Sequence, residues 1–394
     1  MRLLAFYQFM PPYPGAVARR GYSLAEGFAK QPALKIKYDL QFYTATPNAI
    51  LVSGVSIIYL PGNEIKNIDR LYRRAFNELK LGWAAGRKMF NDSKTAGVWV
   101  SSPPYLTACV IIFFAIIKRV PYILELRDLY PQVYAEAGLL RRNSVIYEFL
   151  SAISRFLYKK AKAIIVVTDG LKKIVKKESG DTPVIPVWNG FPEDLLKIKW
   201  MKHKRFTVCC HGVLGYLQDV EAIRGIAELL VVDDIDFLVI GYGRKASLLT
   251  CDRPQNLRFL GTLPFEQTII EVSRCHVGLS LLLENAIAHT AFPTKVWEYI
   301  GLGIPSIVTP RCEAGIFLER NHCGFQFPAG DIEGIARAIL ELKKNPSQLE
   351  KMTSCCAKTA PSFTREKMAE VAAGYVAHFL GLGEKKNATL NKGN

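Results

Sequence analysis

The sequence predicts an α/β protein built from two doubly wound parallel-sheet domains, and three observations carry that prediction. Strand-like apolar runs alternate with helical periodicity along the chain, with Gly, Pro or Asn at the joints. The strand runs are continuous in β-branched residues and leucine rather than alternating, the mark of strands buried on both faces. At 394 residues, 49% apolar and 22% charged, the chain is long enough for two cores and too hydrophobic for disorder.

In the first half, residues 2–9, 34–43, 55–60, 97–102, 121–128, 163–168 and 183–188 read as strands, with helices at 18–30, 67–90, 104–118, 144–160 and 170–177. In the second half, strands fall at 206–211, 236–241, 257–261, 277–283, 305–310 and 325–328, and helices at 219–230, 244–250, 264–274, 294–302, 313–320 and 331–342. Such alternation requires parallel strands joined by helical crossovers. The stretch WNGFPEDLLKIKWMKHKRFT, residues 188–207, is turn-rich, then basic, and lacks apolar periodicity, so it marks the seam. The expected division is a first domain at 1–190, a linker at 191–204, a second domain at 205–363, a helix at 364–381 returning to the first domain, and a tail at 382–394.

Composition narrows the function classes. Nine cysteines include no C-x-x-C pair, and the adjacent pairs Cys209–Cys210 and Cys355–Cys356 suit neither chelation nor a disulfide framework. Reduced thiols in the cytoplasm are expected. The opening MRLLAFYQFMPPYPG lacks the pattern of a secretory leader. The longest apolar run, Leu106 to Ile117, has twelve residues, short of the roughly 18 to 20 that cross a bilayer, and is expected to be a buried helix. Six histidines form no metal-ligand spacing.

The net charge of +16 is uneven: residues 1–200 hold 29 Lys and Arg against 15 Asp and Glu, and the rest hold 22 against 20. The excess comes in clusters at Arg70, Arg73 and Arg74, at Arg141 and Arg142, at Lys159, Lys160 and Lys162, and at Lys172, Lys173, Lys176 and Lys177. Helix faces sharing one sign attract anions, and an anionic membrane contributes about 1 kcal/mol per basic residue near its surface.

In open parallel sheets ligands bind beyond the carboxyl ends of the strands. Three loops of the second half qualify. In CCHGVLGYLQDVEAI the strand ends at His211, and Gly212 and Gly215 let backbone approach a diphosphate. In VIGYGRKASLL, Gly241 and Gly243 close the turn and Arg244 stands at a helix start, where a guanidinium can pair with phosphate. In FPTKVWEYIGLGIPSIVTP, Thr294 opens a helix with Lys295 at its first position and Glu298 one turn on. Two readings stand there: a surface ion pair of a few tenths of a kcal/mol, or a lysine for a phosphate and a carboxylate for the hydroxyls of a ribose. In the first half, Gly15 follows the first strand with Arg19 behind it, and Asp128 ends the fifth, close to Glu125 and Arg127. Asp128 is the candidate acceptor contact or base.

The run K-x-x-E-Y-x-x-x-G-x-P before a strand resembles the donor-binding segment of retaining glycosyltransferases of the GT-B fold, family 4, in particular the branch that builds bacterial surface polysaccharides. PPYPGAVAR, SSPPY, LELRDLYPQVYAEAGLL, WNGF, HGVLGYLQDVEAI, VIGYG and NLRFLG agree in order, so the resemblance spans nearly the whole chain. It implies two Rossmann-like domains facing a cleft and metal-free transfer of a sugar with retention. The donor would be a nucleotide sugar, with a UDP-sugar expected, and the acceptor a lipid-linked saccharide or polysaccharide. Lys295, Glu298 and Asp128 would carry the chemistry. Gly15, Gly212, Gly215, Gly241, Gly243, Arg244, Thr294 and Tyr299 would help hold the donor, and Arg19 would lie on the acceptor side. The protein would sit on the cytoplasmic face of an anionic membrane, with no nucleic-acid partner and no cofactor. Two departures stand out: the family's first glutamate, eight residues before Glu298, is Thr290, and the basic residues usual after Gly215 are replaced by Tyr216, Leu217, Gln218 and Asp219. The rival functions are a nucleotide-sugar epimerase of the same fold and a non-catalytic basic protein binding membrane or nucleic acid.

Overall fold

In the computed structural model, which describes residues 1–13, 15–60, 71–215, 217–250, 253–285 and 288–382, seven strands form the first sheet. They are β1 (Arg2–Phe6), β2 (Asp39–Thr44), β3 (Ser56–Tyr59), β4 (Thr95–Ser102), β5 (Tyr122–Leu126), β6 (Ala163–Val166) and β7 (Val184–Pro186), in the order β3-β2-β1-β4-β5-β6-β7. The second sheet holds β8 (Phe206–Val213), β9 (Ile235–Tyr242), β10 (Leu257–Phe259), β11 (Val277–Leu281), β12 (Ser306–Thr309) and β13 (Gly324–Gln326), ordered β10-β9-β8-β11-β12-β13. Every paired strand in both sheets is parallel. From the first strand of each sheet the chain winds outward one way and then crosses back to wind the other way. This places a switch point between β1 and β4 and another between β8 and β11.

The chain divides into one unit of Met1–Trp188 with Glu366 onward, and a second of Asn189–Arg365. Arg70, the first residues of the helix placed at 67–90, Tyr216 and residues 383–394 of the tail lie outside the described residues. Each sheet is buried by its own helices: Val98, Trp99 and Val100 of β4 are 3% exposed or less, as are Val208, Val239 and Leu279 of the second sheet. Eight cysteines are free thiols among the described residues.

Three local readings of the sequence change. Residues 34–37, placed in a strand, belong to the helix Pro32–Lys37, which has proline in its first turn and lysines in its last. The helix placed at 244–250 is a single 3₁₀ turn, Ala246–Leu249, and the stretch 191–204 contains another, Glu193–Lys197. A further helix, Pro346–Thr359, starts where Asn345 accepts a hydrogen bond from the Gln348 amide at 3.1 Å. The last helix, Arg365–Phe379, packs in the first unit against Ala16–Lys30, and only glycine fits at Gly27: a Cβ there would stand 2.7 Å from the Ala369 backbone.

One charged cluster lies inside the first unit. Glu125 of β5 is fully buried, and Arg20 of the helix Ala16–Lys30 meets it at 2.8 Å. The Tyr7 hydroxyl donates to the other carboxylate oxygen at 2.5 Å, and Arg20 also donates to the carbonyls of Val187 and Trp188. Burial pushes the Glu125 carboxyl up, but the charges of Arg20 and Arg127 and the Tyr7 hydrogen bond outweigh it and hold it below its ordinary value. Glu125 thus pairs with Arg20.

Removing one partner of this pair leaves an uncompensated buried charge. Arg20→Met should lower unfolding free energy by about 3–5 kcal/mol in urea titration, and the double variant with Glu125→Leu should recover part of the loss. Because the folded Glu125 value is depressed, its contribution is complete above the ordinary glutamate range near pH ~4.3 and is lost as pH falls through the folded value. Wild type should therefore lose more stability on acidification than the double variant.

Candidate functional site

At the second switch point, β8 runs past His211 to Val213, and Asp219 then caps the helix Val220–Leu229 by accepting from the Ala222 amide at 3.0 Å. The short loop between them is pinned to β11, because Gln218 donates through Nε2 to the Leu281 carbonyl. After β11, Pro293 caps the helix Thr294–Gly301, whose first turn has no acidic residue and whose cap offers no side-chain acceptor. Thr294 is the first helical residue and Lys295 the second, so Lys295 is one place further in than the sequence placed it.

Lys295 and Glu298 find partners on β8 and its loop rather than in each other. The Lys295 ammonium donates to Gln218 Oε1 at 2.9 Å and lies over Gly212, where a Cβ would be 3.8 Å from Nζ. Glu298 Oε2 is 2.8 Å from His211 Nε2, and His211 Nδ1 lies 3.2 Å from the Tyr299 hydroxyl. Tyr299 donates to the Leu279 carbonyl at 3.1 Å and is fully buried, its ring against Gly278. It therefore supports His211 from beneath and does not offer a surface to a donor, correcting the expected contact. On the other side of the helix, Trp297 stacks on Phe292 at 4.1 Å and on Phe363 at 5.0 Å, which fixes the helix against its own core.

The arrangement brings together a half-buried ammonium, a backbone glycine in the left-handed region (φ 104°), an uncapped helix start and a carboxylate held by an imidazole. An ammonium has three donors and Gln218 takes one. Helix-start amides add partial positive charge in the same place. Such a group can receive an anionic oxygen on one side and hydroxyl donors on the other.

The remaining predicted residues behave differently. A Cβ on Gly241 would lie 1.9 Å from the Gly212 carbonyl oxygen, and one on Gly243 would lie 2.4 Å from that of Leu214. These two glycines are demanded by the β8–β9 backbone, whatever else approaches them. Gly215 has no positive φ, and a Cβ there would meet only Val213 at 3.5 Å. Arg244 is exposed, in a turn followed by 3₁₀ structure instead of an α-helix start. In the first unit, Gly15 has φ 107° with open space where a Cβ would be, and it caps Ala16–Lys30, on whose first turns Arg19 sits half-buried. Asp128 is exposed after β5. The crowding of its surroundings raises its carboxyl above the usual value, and the Arg127 guanidinium pulls the other way.

Sequence reading missed Gln218, which has no recognisable signature, and the pairing of His211 with Glu298 across 87 residues. It also passed over the D-x-D triplet Asp234 to Asp236. Both of those carboxylates turn to Arg205, at 2.9 and 3.5 Å, at the amino end of β9. No group of three or more metal-ligating side chains occurs among the described residues.

Two doubly wound parallel sheets, each with the reversing strand order, are the architecture of the GT-B fold. The profile of the group 1 glycosyl transferases matches residues 205–345 of the second unit. The probable glycosyltransferase WbjE of Pseudomonas aeruginosa is 23% identical over 299 residues, covering 70% of this chain and 73% of its own. Among solved structures, WaaG, a glycosyltransferase involved in lipopolysaccharide biosynthesis, superposes with a TM-score of 0.67 at 14% identity over 95% of this chain and 99% of its own. HepE of Anabaena in complex with UDP-glucose gives a TM-score of 0.66 at 12% identity, covering 96% and 99%.

The glycines separate by experiment. Gly241→Ala must displace backbone and should cost about 1–3 kcal/mol or more in thermal or urea unfolding. Gly15→Ala meets only backbone strain and should cost on the order of 1 kcal/mol.

Proposed function

We propose that this chain transfers a sugar, with retention and without a metal, from a uridine diphosphate sugar to a lipid-linked saccharide or polysaccharide acceptor of a bacterial cell-surface glycan. The observation that carries the donor assignment is the meeting of Lys295, Gly212 and the start of Thr294–Gly301 at the β8–β11 switch point, with Glu298 held by His211 beside them. The diphosphate would take its place at the ammonium and the backbone amides, and the ribose hydroxyls would donate to Glu298. Negative charge grows on the diphosphate as the glycosidic bond breaks. Fixed positive charge that binds it more tightly at that moment lowers the barrier. Because the loop after β8 carries no arginine or lysine before its helix, Lys295 is the principal cation of this site.

The choice of a uridine nucleotide rests on HepE, whose structure contains UDP-glucose, and the acceptor class on WaaG, which serves lipopolysaccharide biosynthesis. Asp128, exposed on the first unit, is assigned to the acceptor hydroxyl. An epimerase of the same fold would change the free sugar nucleotide with no acceptor present, and mass-balanced turnover in the absence of lipid would favour it.

A thermal-shift panel of nucleoside diphosphates and their sugars tests the site. At a hundredfold its dissociation constant a ligand adds about 2.7 kcal/mol of stability, and the largest shift is expected with UDP. Lys295→Ala should remove it and Glu298→Ala should weaken it by tenfold or more in affinity, roughly the 1–3 kcal/mol of charged hydrogen bonds. An unchanged UDP shift in both variants would place the donor elsewhere.

A further inference from the structure

We propose that the helices Leu71–Asn91 and Tyr105–Ile117 of the first unit form a docking face that inserts aromatic side chains into the surface of an anionic lipid bilayer. Tyr72, Phe76, Leu79, Trp83 and Phe90 follow spacings of four, three, four and seven, so they form one stripe along the first of these helices. All five are exposed, Phe76 by 65% and Trp83 by 58%. The stripe is not the side that faces the core, which is taken by Leu81, Ala85 and Met89. This helix therefore carries two apolar faces, and among the described residues only one of them is covered.

The second helix extends the uncovered face. Gly82 and Gly86 let it come close: a Cβ on Gly82 would stand 2.9 Å from Val110, and one on Gly86 2.3 Å from Phe114. Phe114 then lies with its ring centroid 5.1 Å from Trp83 and 5.8 Å from Phe90, and the exposed Phe113 adjoins it at 6.1 Å. Ile117 is exposed on the same helix, and residues 105–117 hold no charged side chain. The aromatic rings are thus held in contact across two packed helices instead of scattered singly, the condition under which exposed apolar surface marks an interaction site.

Charge selects the occupant. Arg73, Lys80 and Arg87, spaced by seven, run beside the aromatic stripe and are exposed, as are Lys88 and Arg119. The one acidic residue of these two helices, Glu78, is buried and paired with Arg74 at 3.1 Å. Among the described residues, every exposed charge of these two helices is positive, so a second copy of the same face would be repelled. Aromatic and aliphatic groups flanked by Arg and Lys suit the boundary between lipid headgroups and acyl chains. No helix among the described residues is long and apolar enough to cross a membrane, and this mode needs none. The inference rests on the proposed lipid-linked acceptor for its purpose, and its test requires neither donor nor acceptor.

The full chain is floated with phosphatidylcholine vesicles with and without phosphatidylglycerol. Wild type should bind the anionic vesicles, less so at high salt. Trp83→Ser with Phe113→Ser, both at exposed positions, should lower partitioning by roughly tenfold or more. Replacing Lys172, Lys173 and Lys177 by Gln on their separate helix should change it by less than about threefold. In wild type, brominated lipid should quench tryptophan fluorescence, and Trp83→Phe should bind equally yet lose most of that quenching. Vesicle binding unchanged by the double substitution, or absent quenching at Trp83, would overturn the proposal. So would a wild-type dimer that the double substitution dissociates, or tight binding of a single-stranded oligonucleotide at this face with no vesicle binding. Intact vesicle binding without any UDP shift would overturn the donor reading and leave this face standing.

Discussion

The 2.8 Å contact between His211 and Glu298 joins two pieces of chain that the parallel topology brings to one edge. His211 is near the carboxyl end of β8, and Glu298 lies one turn into the helix after β11. Because β8 is the strand from which the sheet winds both ways, its end opens at the switch point. A carboxylate fixed there by a buried imidazole cannot fold back onto Lys295. The lysine is left directed at Gln218 and Gly212, and the two side chains that looked like a helix-surface ion pair become separate walls of one site.

That separation is supported from below and from the side. Tyr299 fills the sheet beneath His211 against Gly278, where a Cβ would sit 2.6 Å from its ring. Gly241 and Gly243 let β9 close on the β8 end. The first unit holds its own switch point by a different means. There a buried Arg20–Glu125 pair and the Tyr7 hydroxyl tie β1, its following helix and β5 together. Buried charge of that kind contributes little net stability when paired and costs heavily when broken, so it favours one arrangement of these elements over others.

The two halves of the chain also divide the charge differently. The excess of basic residues lies in the first half, and on the helices that cover its sheet it stands beside exposed aromatic rings. A solvated helix needs the charge but not the rings. Electrostatic attraction alone brings a protein to an anionic surface, while burial of Trp83, Phe90 and Phe113 would hold it there in a defined orientation.

Much of this protein is written in local pattern. Buried parallel strands read as continuous apolar runs, glycine and proline mark the joints, and the K-x-x-E-Y-x-x-x-G-x-P run marked the candidate donor segment, because these signals act within a few residues. Elements whose local pattern was ambiguous went astray: LKIK at 34–37 alternates like a strand but follows a proline that starts a helix. What only the tertiary structure decided are the meetings across distance. The 87 residues between His211 and Glu298, the 77 between Gln218 and Lys295 and the 105 between Arg20 and Glu125 leave no trace in spacing. Their partners are chosen by strand order and packing, which also decided that Gly241 serves its neighbouring strand and that Tyr299 serves the core.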